Sequence, residues 1–162
     1  MSDVALRPVN DSDREVLDRL FQLYQHDLSE FRGTWPDAGG RYPSSRLGQW
    51  LELPDTVAYL IVAGDQLGGF AVVRSHEQGG RSMGEFFVVR GARRGGIGAA
   101  AARAVLERHP GPWHIAFQEA NAGAARFWRR LVTQAGRDVR EERLPVPGKP
   151  HLPPDTWLRL TV

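Results

Sequence analysis

A glycine-rich turn between an apolar run and an alanine-rich segment constrains the fold of this chain more than any other feature. Residues 85–90 are mostly apolar, glycines crowd positions 95–98, and residues 97–108 have helical apolar spacing. This order predicts a strand, a tight loop and a helix. The first N–H groups of a helix have no partner within it, and the helix dipole favours negative charge there. The segment therefore predicts an anion site, to which Arg93 and Arg94 add forked donors.

Two common nucleotide-binding motifs explain this turn poorly. A P-loop needs a lysine followed by serine or threonine after its second glycine, and Lys149 is the chain's only lysine. The dinucleotide fingerprint needs three spaced glycines in a βαβ unit. Gly96, Gly98 and Ala101 match its glycine/alanine form only loosely. A nucleotide-binding oxidoreductase domain stays an alternative, and it predicts that the chain binds a dinucleotide.

A third signature fits better. The run Arg93-x-x-Gly96-x-Gly98 resembles the Gln/Arg-x-x-Gly-x-Gly/Ala signature of the GNAT superfamily of N-acetyltransferases. As in that superfamily, an apolar strand residue, Val88, stands before the first arginine, and Asn121 opens a later helix with aromatic residues. The order strand, loop, helix, strand, asparagine, helix is much more specific than the glycine motif alone.

A closer resemblance rests on three shorter segments, residues 23–31, 85–88 and 127–129. Together they are similar to a bacterial branch of the same superfamily. The resemblance to that branch does not identify the acceptor substrate. The resemblance therefore covers the coenzyme and the reaction type, and it leaves the acceptor open.

The resemblance implies that the turn holds the pyrophosphate of acetyl-CoA and that nearby strand backbone binds its pantetheine arm. It also implies that the N–H of Val88 or a neighbour polarises the thioester carbonyl. Residues 86–89 are also expected to form a buried core strand. Core packing and coenzyme binding are compatible, because the side chains pack in the core while the backbone groups contact the coenzyme. The coenzyme-binding residues that it implies are Phe87, Val88, Val89, Arg93, Arg94, Gly95, Gly96, Ile97, Gly98, Ala99, Asn121, Phe127 and Trp128.

Glu85 is the candidate general base. It is a carboxylate in an apolar strand, and burial would raise its proton affinity toward useful basicity. Some amine-acetylating members of the superfamily carry acidic residues at this place, where they bind the acceptor amine. The alternative is a glutamate paired with one of the many arginines. Tyr24 and Asp27, near the end of the first predicted helix, join Glu85 as candidate acceptor-binding residues.

Trp128 departs from the superfamily pattern. Many members place a tyrosine seven residues after the asparagine, and its hydroxyl is thought to protonate the leaving thiolate. An indole N–H is a donor but not a practical acid. The thiolate then leaves unassisted, takes a proton from water or from a residue such as Tyr24 or Tyr42, or the protein binds coenzyme A without fast catalysis. Trp128 also suits helix packing, and Asn121 suits either coenzyme binding or helix capping.

Hydrophobic periodicity predicts a mixed α/β (α+β) fold in one domain over residues 1–162. The sheet is expected to be mostly antiparallel, with six to seven strands flanked by helices. By resemblance, two parallel strands splay apart. Predicted elements include a first helix with a capping box at Ser12 and Glu15, a loop over 31–43 and a second helix over 45–53. Further predictions place a strand at 57–63 and a helix at 122–135 that stops at Gly136.

Composition narrows the function classes. The formal net charge is +2, which gives nucleic-acid binding no electrostatic basis. No apolar run approaches the roughly 20 residues needed to span a bilayer, and the N-terminus lacks a signal-peptide pattern, so a cytoplasmic protein without membrane association is expected. There is no cysteine, and the histidines lack metal-ligand spacing, so no metal is expected.

These patterns predict an enzyme that uses acetyl-CoA to acetylate a primary amine of a small molecule or peptide by direct attack. The alternative is a non-catalytic acyl-CoA-binding sensor or regulatory protein, which Trp128 motivates. The sequence leaves open whether the protein is a monomer or a homodimer.

Overall fold

The computed structural model describes residues 3–162. The strands found there are β1 (Val4–Pro8), β2 (Val57–Ala63), β3 (Gln66–Ser75), β4 (Arg81–Val88), β5 (Pro112–Phe117), β6 (Arg137–Leu144) and β7 (Asp155–Thr161). The helices are α1 (Arg14–Arg32), α2 (Ser45–Leu51), α3 (Ile97–Arg108) and α4 (Ala122–Ala135). Short 3₁₀ turns cover Asp11–Asp13 and Arg90–Ala92.

The strands form a seven-stranded sheet in the order β1-β2-β3-β4-β5-β7-β6. The pairs β1–β2, β2–β3, β5–β7 and β6–β7 are antiparallel, whereas β4 and β5 run parallel. In the described residues, the β4–β5 register comprises Arg81↔Trp113 and Ser82↔His114, at the beginning of β4. The expected mixed, mostly antiparallel sheet with one parallel pair is confirmed.

The chain divides into two compact units. The first comprises residues 3–73 and Glu85–Gly98, and the second comprises Arg74–Gly84 and Ala99–Val162. The glycine turn and the candidate base belong to the first unit, and α4 belongs to the second.

The core of the first unit forms because α1 carries apolar residues at helical spacing and β2 and β3 are apolar runs. A strand that is buried on both faces tolerates continuous apolar residues, as in β2. Helix and strands meet in one buried cluster. Its members are Leu17, Leu20, Phe21, Leu47, Ala58, Leu60, Phe70, Val72 and Phe87.

The predicted capping box at Ser12 and Glu15 is wrong. The box lies two residues earlier: the Asn10 side chain accepts from the Ser12 N–H at 2.9 Å, and Asp13 Oδ2 accepts from the Asn10 N–H at 3.1 Å. Asparagine is at least as good an N-cap as serine, and Asn10 has the extended backbone that a cap requires. An ion pair with Arg7 at 3.0 Å further fixes the Asp13 carboxylate.

Two predicted boundaries shift for local reasons. Helix α1 continues to Arg32 and ends at Gly33, whose φ of 66° terminates it, so the loop begins two residues later than predicted. Helix α2 ends at Leu51, not at residue 53. The N–H of Leu53 donates to Trp50 O at 3.0 Å in a tighter turn, because the residue before a proline avoids helical backbone.

In the second unit, α4 contacts β5, β6 and β7, and its buried face carries Ala125, Trp128, Leu131 and Val132. The predicted bounds of α4 and its stop at Gly136 are confirmed. Gly136 is needed because the site lacks space for a side chain, and not because of a left-handed backbone. Its φ is −140°, which any residue can adopt. A Cβ at Gly136 would lie 2.5 Å from Leu160 Cδ1 and 3.0 Å from Thr161 O.

Candidate active site

The glycine turn connects β4 to α3 through the short 3₁₀ turn Arg90–Ala92. Gly96 has a φ of 82°, which favours glycine, and Arg94 adopts a φ of 71° that few non-glycine residues take. Residues 93–96 are exposed, and an added Cβ at Gly95 or Gly96 would meet no atom within 4 Å. The turn therefore offers open backbone at the start of α3, where helix N–H groups lack helical partners.

Arg93 ties this turn to the strand and to α1. Its Nε donates to Val88 O at 2.8 Å, and its Nη2 is paired with Asp27 Oδ2. Arg90 Nε also donates to Asp27, at 3.0 Å from Oδ1, and the Arg93 guanidinium lies 5.8 Å from the Phe87 ring centroid. The first arginine of the motif is thus held in place by a carbonyl and a carboxylate.

Asp27 forms ion pairs with two arginines of the turn. Its side chain is only 18% exposed and faces two guanidinium groups, those of Arg90 and Arg93. A cationic acceptor at Asp27 would compete with both arginines. The acceptor-binding role expected of Asp27 stays a prediction.

Glu85 lies within β4 and is only 6% exposed. The Tyr24 phenol is hydrogen-bonded to it, and Arg46 Nη2 of α2 lies 3.9 Å from Glu85 Oε1. Burial, and next the negative charge of Glu85, raise the pKa of Tyr24 well above its usual value of 10.0. The phenol therefore stays protonated at neutral pH and donates to the carboxylate.

Tyr24 is fixed by aromatic neighbours. Its ring centroid lies 5.7 Å from that of Phe70 in an edge-on contact, 5.8 Å from that of Phe87 and 6.0 Å from that of Phe21. Such pairs favour defined ring orientations. The structure thus brings together two of the predicted acceptor-binding residues, Tyr24 and Glu85, and holds one of them rigidly.

The backbone around Val88 is fixed from both sides. The Val88 carbonyl accepts from Arg93, and the Val89 N–H donates to Gly68 O at 2.8 Å. An added Cβ at Gly69 would lie 1.9 Å from Phe87 O, so β3 approaches β4 as closely as glycine permits. The β2–β3 register shifts at this point, pairing Ile61 with Gly69 and skipping Gly68.

Sequence reasoning missed three residues of this site. Gly68 and Gly69 stand together inside an apolar strand, and such glycines often mark a bulge or a close approach of backbone. That signal was available. Arg46 carries no such signal, because one arginine in a short helix resembles any solvated residue until the fold places it beside Glu85.

Of the other predicted coenzyme residues, Ile97, Gly98 and Ala99 form the start of α3, whereas Asn121, Phe127 and Trp128 belong to α4 and its N-cap in the second unit. Asn121 caps the helix, its Oδ1 accepting from the Ala124 N–H at 3.1 Å. Trp128 is 6% exposed and belongs to the buried face, and the Phe127 and Trp128 rings meet edge to face at 4.9 Å. The capping and packing roles are therefore observed, while the coenzyme roles of these residues stay predictions.

No helix within residues 3–162 is long and apolar enough to cross a membrane. The same residues contain no group of three or more histidine, aspartate or glutamate side chains arranged to hold a metal ion.

Comparison with known proteins identifies the family. The family model described as "Acetyltransferase (GNAT) family" matches residues 20–132, which is most of the chain. This protein belongs to the GNAT acetyltransferase family. No curated protein sequence matches it.

Solved structures share the fold at low sequence identity. An acetyltransferase from Thermus thermophilus superposes with a TM-score of 0.69 at 17% identity, covering 100% of both chains. RimL, a ribosomal L7/L12 alpha-N-protein acetyltransferase solved with coenzyme A, gives 0.71 at 12% identity, covering 100% of this chain and 96% of that one. NAA60 of Arabidopsis thaliana, solved with acetyl-CoA, gives 0.62 at 19% identity, covering 99% and 100%. The GNAT fold is thereby established.

Proposed function

We propose that this protein is an acetyl-CoA-dependent N-acetyltransferase whose acceptor is a primary amine of a small molecule or peptide. The observation that carries the proposal is the buried carboxylate of Glu85, held by Tyr24 and Arg46 three residues before Val88 on β4. A carboxylate removed from water and aimed by fixed neighbours suits proton abstraction. Family membership supports the acetyl donor.

The turn fits the anionic part of acetyl-CoA. Open backbone at Gly95 and Gly96, the N-terminus of α3 and the Arg94 guanidinium suit a pyrophosphate. No hydrogen bond or ion pair among residues 3–162 involves that guanidinium. Arg93 already binds Val88 O and Asp27, so we assign it to holding the turn rather than to free anion pairing. Residues 87–89 are proposed to serve the pantetheine arm through their backbone.

The chemistry divides among few groups. The carbonyl carbon of the acetyl-CoA thioester bonds to the amine nitrogen, and the C–S electron pair leaves with the sulfur of coenzyme A as a thiolate, which takes a proton from water. Glu85 accepts the amine proton. The Val88 N–H donates to the developing oxyanion, and its position is preorganised because Phe87 O abuts Gly69 and the Val88–Val89 peptide is bonded at both ends.

The test is thiol release from acetyl-CoA with a panel of amines: polyamines, small metabolite amines, aminoglycosides and short peptides. With an amine that turns over, Glu85→Gln is expected to lower kcat by about 10²- to 10⁴-fold while the affinity for acetyl-CoA is unchanged. Glu15→Gln is the matched control. Glu15 is an exposed carboxylate on α1 paired with Arg19, and its loss should leave kcat unchanged. Undiminished turnover in Glu85→Gln would remove Glu85 from the role of base.

One observation favours a second function, a non-catalytic acyl-CoA sensor. The superfamily's tyrosine position holds Trp128, which is buried and is no practical acid. This alternative predicts tight acetyl-CoA binding without thiol release on any amine of the panel. The family match gives the dinucleotide alternative no support, and Gly96, Gly98 and Ala101 fit the dinucleotide fingerprint only loosely.

A further inference from the structure

The guanidinium of Arg46 lies beside the carboxylate of Glu85, within the first unit. Its Nη2 is 3.9 Å from Glu85 Oε1, which makes an ion pair but is too long for a hydrogen bond. The guanidinium carbon lies 5.0 Å from the ring centroid of Trp50, also on α2, so an aromatic face supports it. Within residues 3–162 this guanidinium makes no hydrogen bond, so its forked donors are oriented and free to bind an anion.

The exposure of the two groups determines how an acceptor meets them. The Arg46 side chain is 51% exposed, whereas that of Glu85 is 6% exposed. An amine that reaches the buried carboxylate therefore has the guanidinium on its solvent side. A second polar group of the same acceptor, close to the amine, then lies against Arg46.

Positive charge surrounds this pair. Burial raises the pKa of Tyr24 most, and the charge of Glu85 raises it next. The charges of Arg32 and Arg46 act in the opposite direction. Arg32 stands in the last turn of α1 and makes no hydrogen bond or ion pair within residues 3–162. The carboxylate of Asp27, one turn after Tyr24 on α1, is already paired with two arginines of the glycine turn. Two positive charges therefore oppose the negative charge of Glu85 at this site.

These charges discriminate between classes of amine. A polyamine or an aminoglycoside carries several ammonium groups, and the arginines repel those that do not face the base. A guanidinium instead binds a carboxylate as a fork. In an α-amino acid a single carbon joins the amine to a carboxylate. One small molecule of this kind engages two protein groups that are themselves adjacent.

We propose that the acceptor is an α-amino acid, whose carboxylate binds Arg46 while its amine faces Glu85. The inference rests on the proposed acetyltransferase function and adds the class of acceptor. In the transfer, the uncharged amine bonds to the acetyl carbon and the C–S bond breaks. Glu85 takes the amine proton, and the coenzyme A thiolate takes a proton from water. The products are an N-acetylamino acid and coenzyme A.

Thiol release from acetyl-CoA, measured with matched acceptor pairs, tests the proposal. Each pair is an L-amino acid and the amine that remains when its carboxylate is removed, such as phenylalanine with phenethylamine, leucine with isoamylamine and serine with ethanolamine. We expect kcat/KM for the best amino acid to exceed that of its matched amine about 10- to 100-fold, the effect of one charge-assisted contact.

Arg46→Gln assigns this preference to the guanidinium. The ratio of the two kcat/KM values should fall to near one, mainly through a higher KM for the amino acid. Any effect of the variant on Glu85 is shared by both acceptors and cancels in the ratio. Arg14→Gln is the matched control and should keep the wild-type ratio, because the Arg14 side chain is 48% exposed and is paired with a different carboxylate, that of Glu52.

The outcomes separate this inference from the proposed function. If amines without a carboxylate turn over as well as amino acids, or if the preference survives Arg46→Gln, the class of acceptor is wrong and the acetyltransferase proposal stands. If acetyl-CoA binds in calorimetry but no acceptor of either kind releases thiol, the proposed function fails and the inference fails with it.

Discussion

At the scale of single residues, the arrangement of Tyr24, Glu85 and Arg46 determines how the buried carboxylate behaves. Tyr24 donates a hydrogen bond to the Glu85 carboxylate, and the Arg46 guanidinium lies 3.9 Å from it. Arg46 is about half exposed, so solvent screens its effect. The phenol is therefore the stronger positioning group, since aromatic packing fixes it.

Tyr24→Phe tests this division of roles. The variant keeps the ring contacts and removes the donor, and we expect kcat to fall about 10-fold with little change in acetyl-CoA affinity. Because burial raises the pKa of Tyr24 well above 10.0, its ionisation adds no pH dependence below that value. On the basic side, from neutral pH to about pH 9, the pH–rate profiles of wild type and variant should have the same shape. Loss of a basic limb in the variant would show instead that Tyr24 titrates during catalysis.

At the scale of secondary-structure elements, the bulge at Gly68 and Gly69 determines where the end of β4 lies. Gly68 O accepts from the Val89 N–H, and Gly69 leaves just enough room for Phe87 O. The chain thus uses two small residues of β3 to fix the strand whose backbone is proposed to serve the coenzyme. A side chain at Gly69 would push that backbone away.

Gly69→Ala is expected to destabilise the protein by about 3 kcal/mol or more, beyond the usual range for overpacking, because its Cβ would lie 1.9 Å from backbone. Equilibrium urea unfolding measures the change. Gly48→Ala is the control: Gly48 lies inside α2 with nothing within 4 Å of an added Cβ, so alanine should stabilise by about 0.5–1 kcal/mol. Equal stabilities for Gly69→Ala and wild type would contradict the close approach.

Elements with strong local signals were predictable from sequence, and interactions between elements were not. The apolar run of β2 and the spacing of α4 gave their bounds as observed. The capping box was misplaced, because Ser12 and Asn10 are both good caps and local sequence does not decide between them. Glu85 and Tyr24 were each named as candidates, but their hydrogen bond and Arg46 arise from tertiary packing.

At the scale of the whole molecule, we expect the pH dependence of stability to arise from histidines that are buried (His114) or partly buried (His76 and His109). In the second unit the rings of His76 and His114 stack with centroids 3.5 Å apart and planes 7° apart. Burial lowers the pKa of both below 6.5, and for His76 the charge of His114 lowers it further. The charge of Arg159 also lowers both pKa values. The charge of Glu77 raises the pKa of His76, and that of Glu142 raises the pKa of His114. Burial likewise lowers the pKa of His109.

These shifts give a direction for the pH dependence of stability. Because the folded-state pKa values lie below 6.5, the unfolded chain binds protons first as pH falls. The stability contribution is complete above that pH and is lost on acidification toward the lower folded values. Asp13 and Glu119, whose pKa values are lowered from 3.8 and 4.5, act only in more acidic solution.

We therefore expect the free energy of unfolding to fall between about pH 8 and pH 5.5. His76→Phe keeps an aromatic ring against His114 and removes one titrating group, so its stability should fall less over the same interval, whatever its absolute value. His151→Phe, at a histidine whose side chain is exposed, is the control and should retain the wild-type dependence. An unchanged slope in His76→Phe would contradict the role assigned to the stack.

The measurement that tests the central claim most directly is thermal unfolding with acetyl-CoA and, in parallel, NAD. A ligand at 100 times its dissociation constant stabilises the folded state by about 2.7 kcal/mol. For a chain of this length we expect acetyl-CoA to raise Tm by roughly 5–10 °C, and NAD to leave it unchanged. Absence of a shift at saturating acetyl-CoA would contradict coenzyme binding, and with it both the acetyltransferase and the sensor.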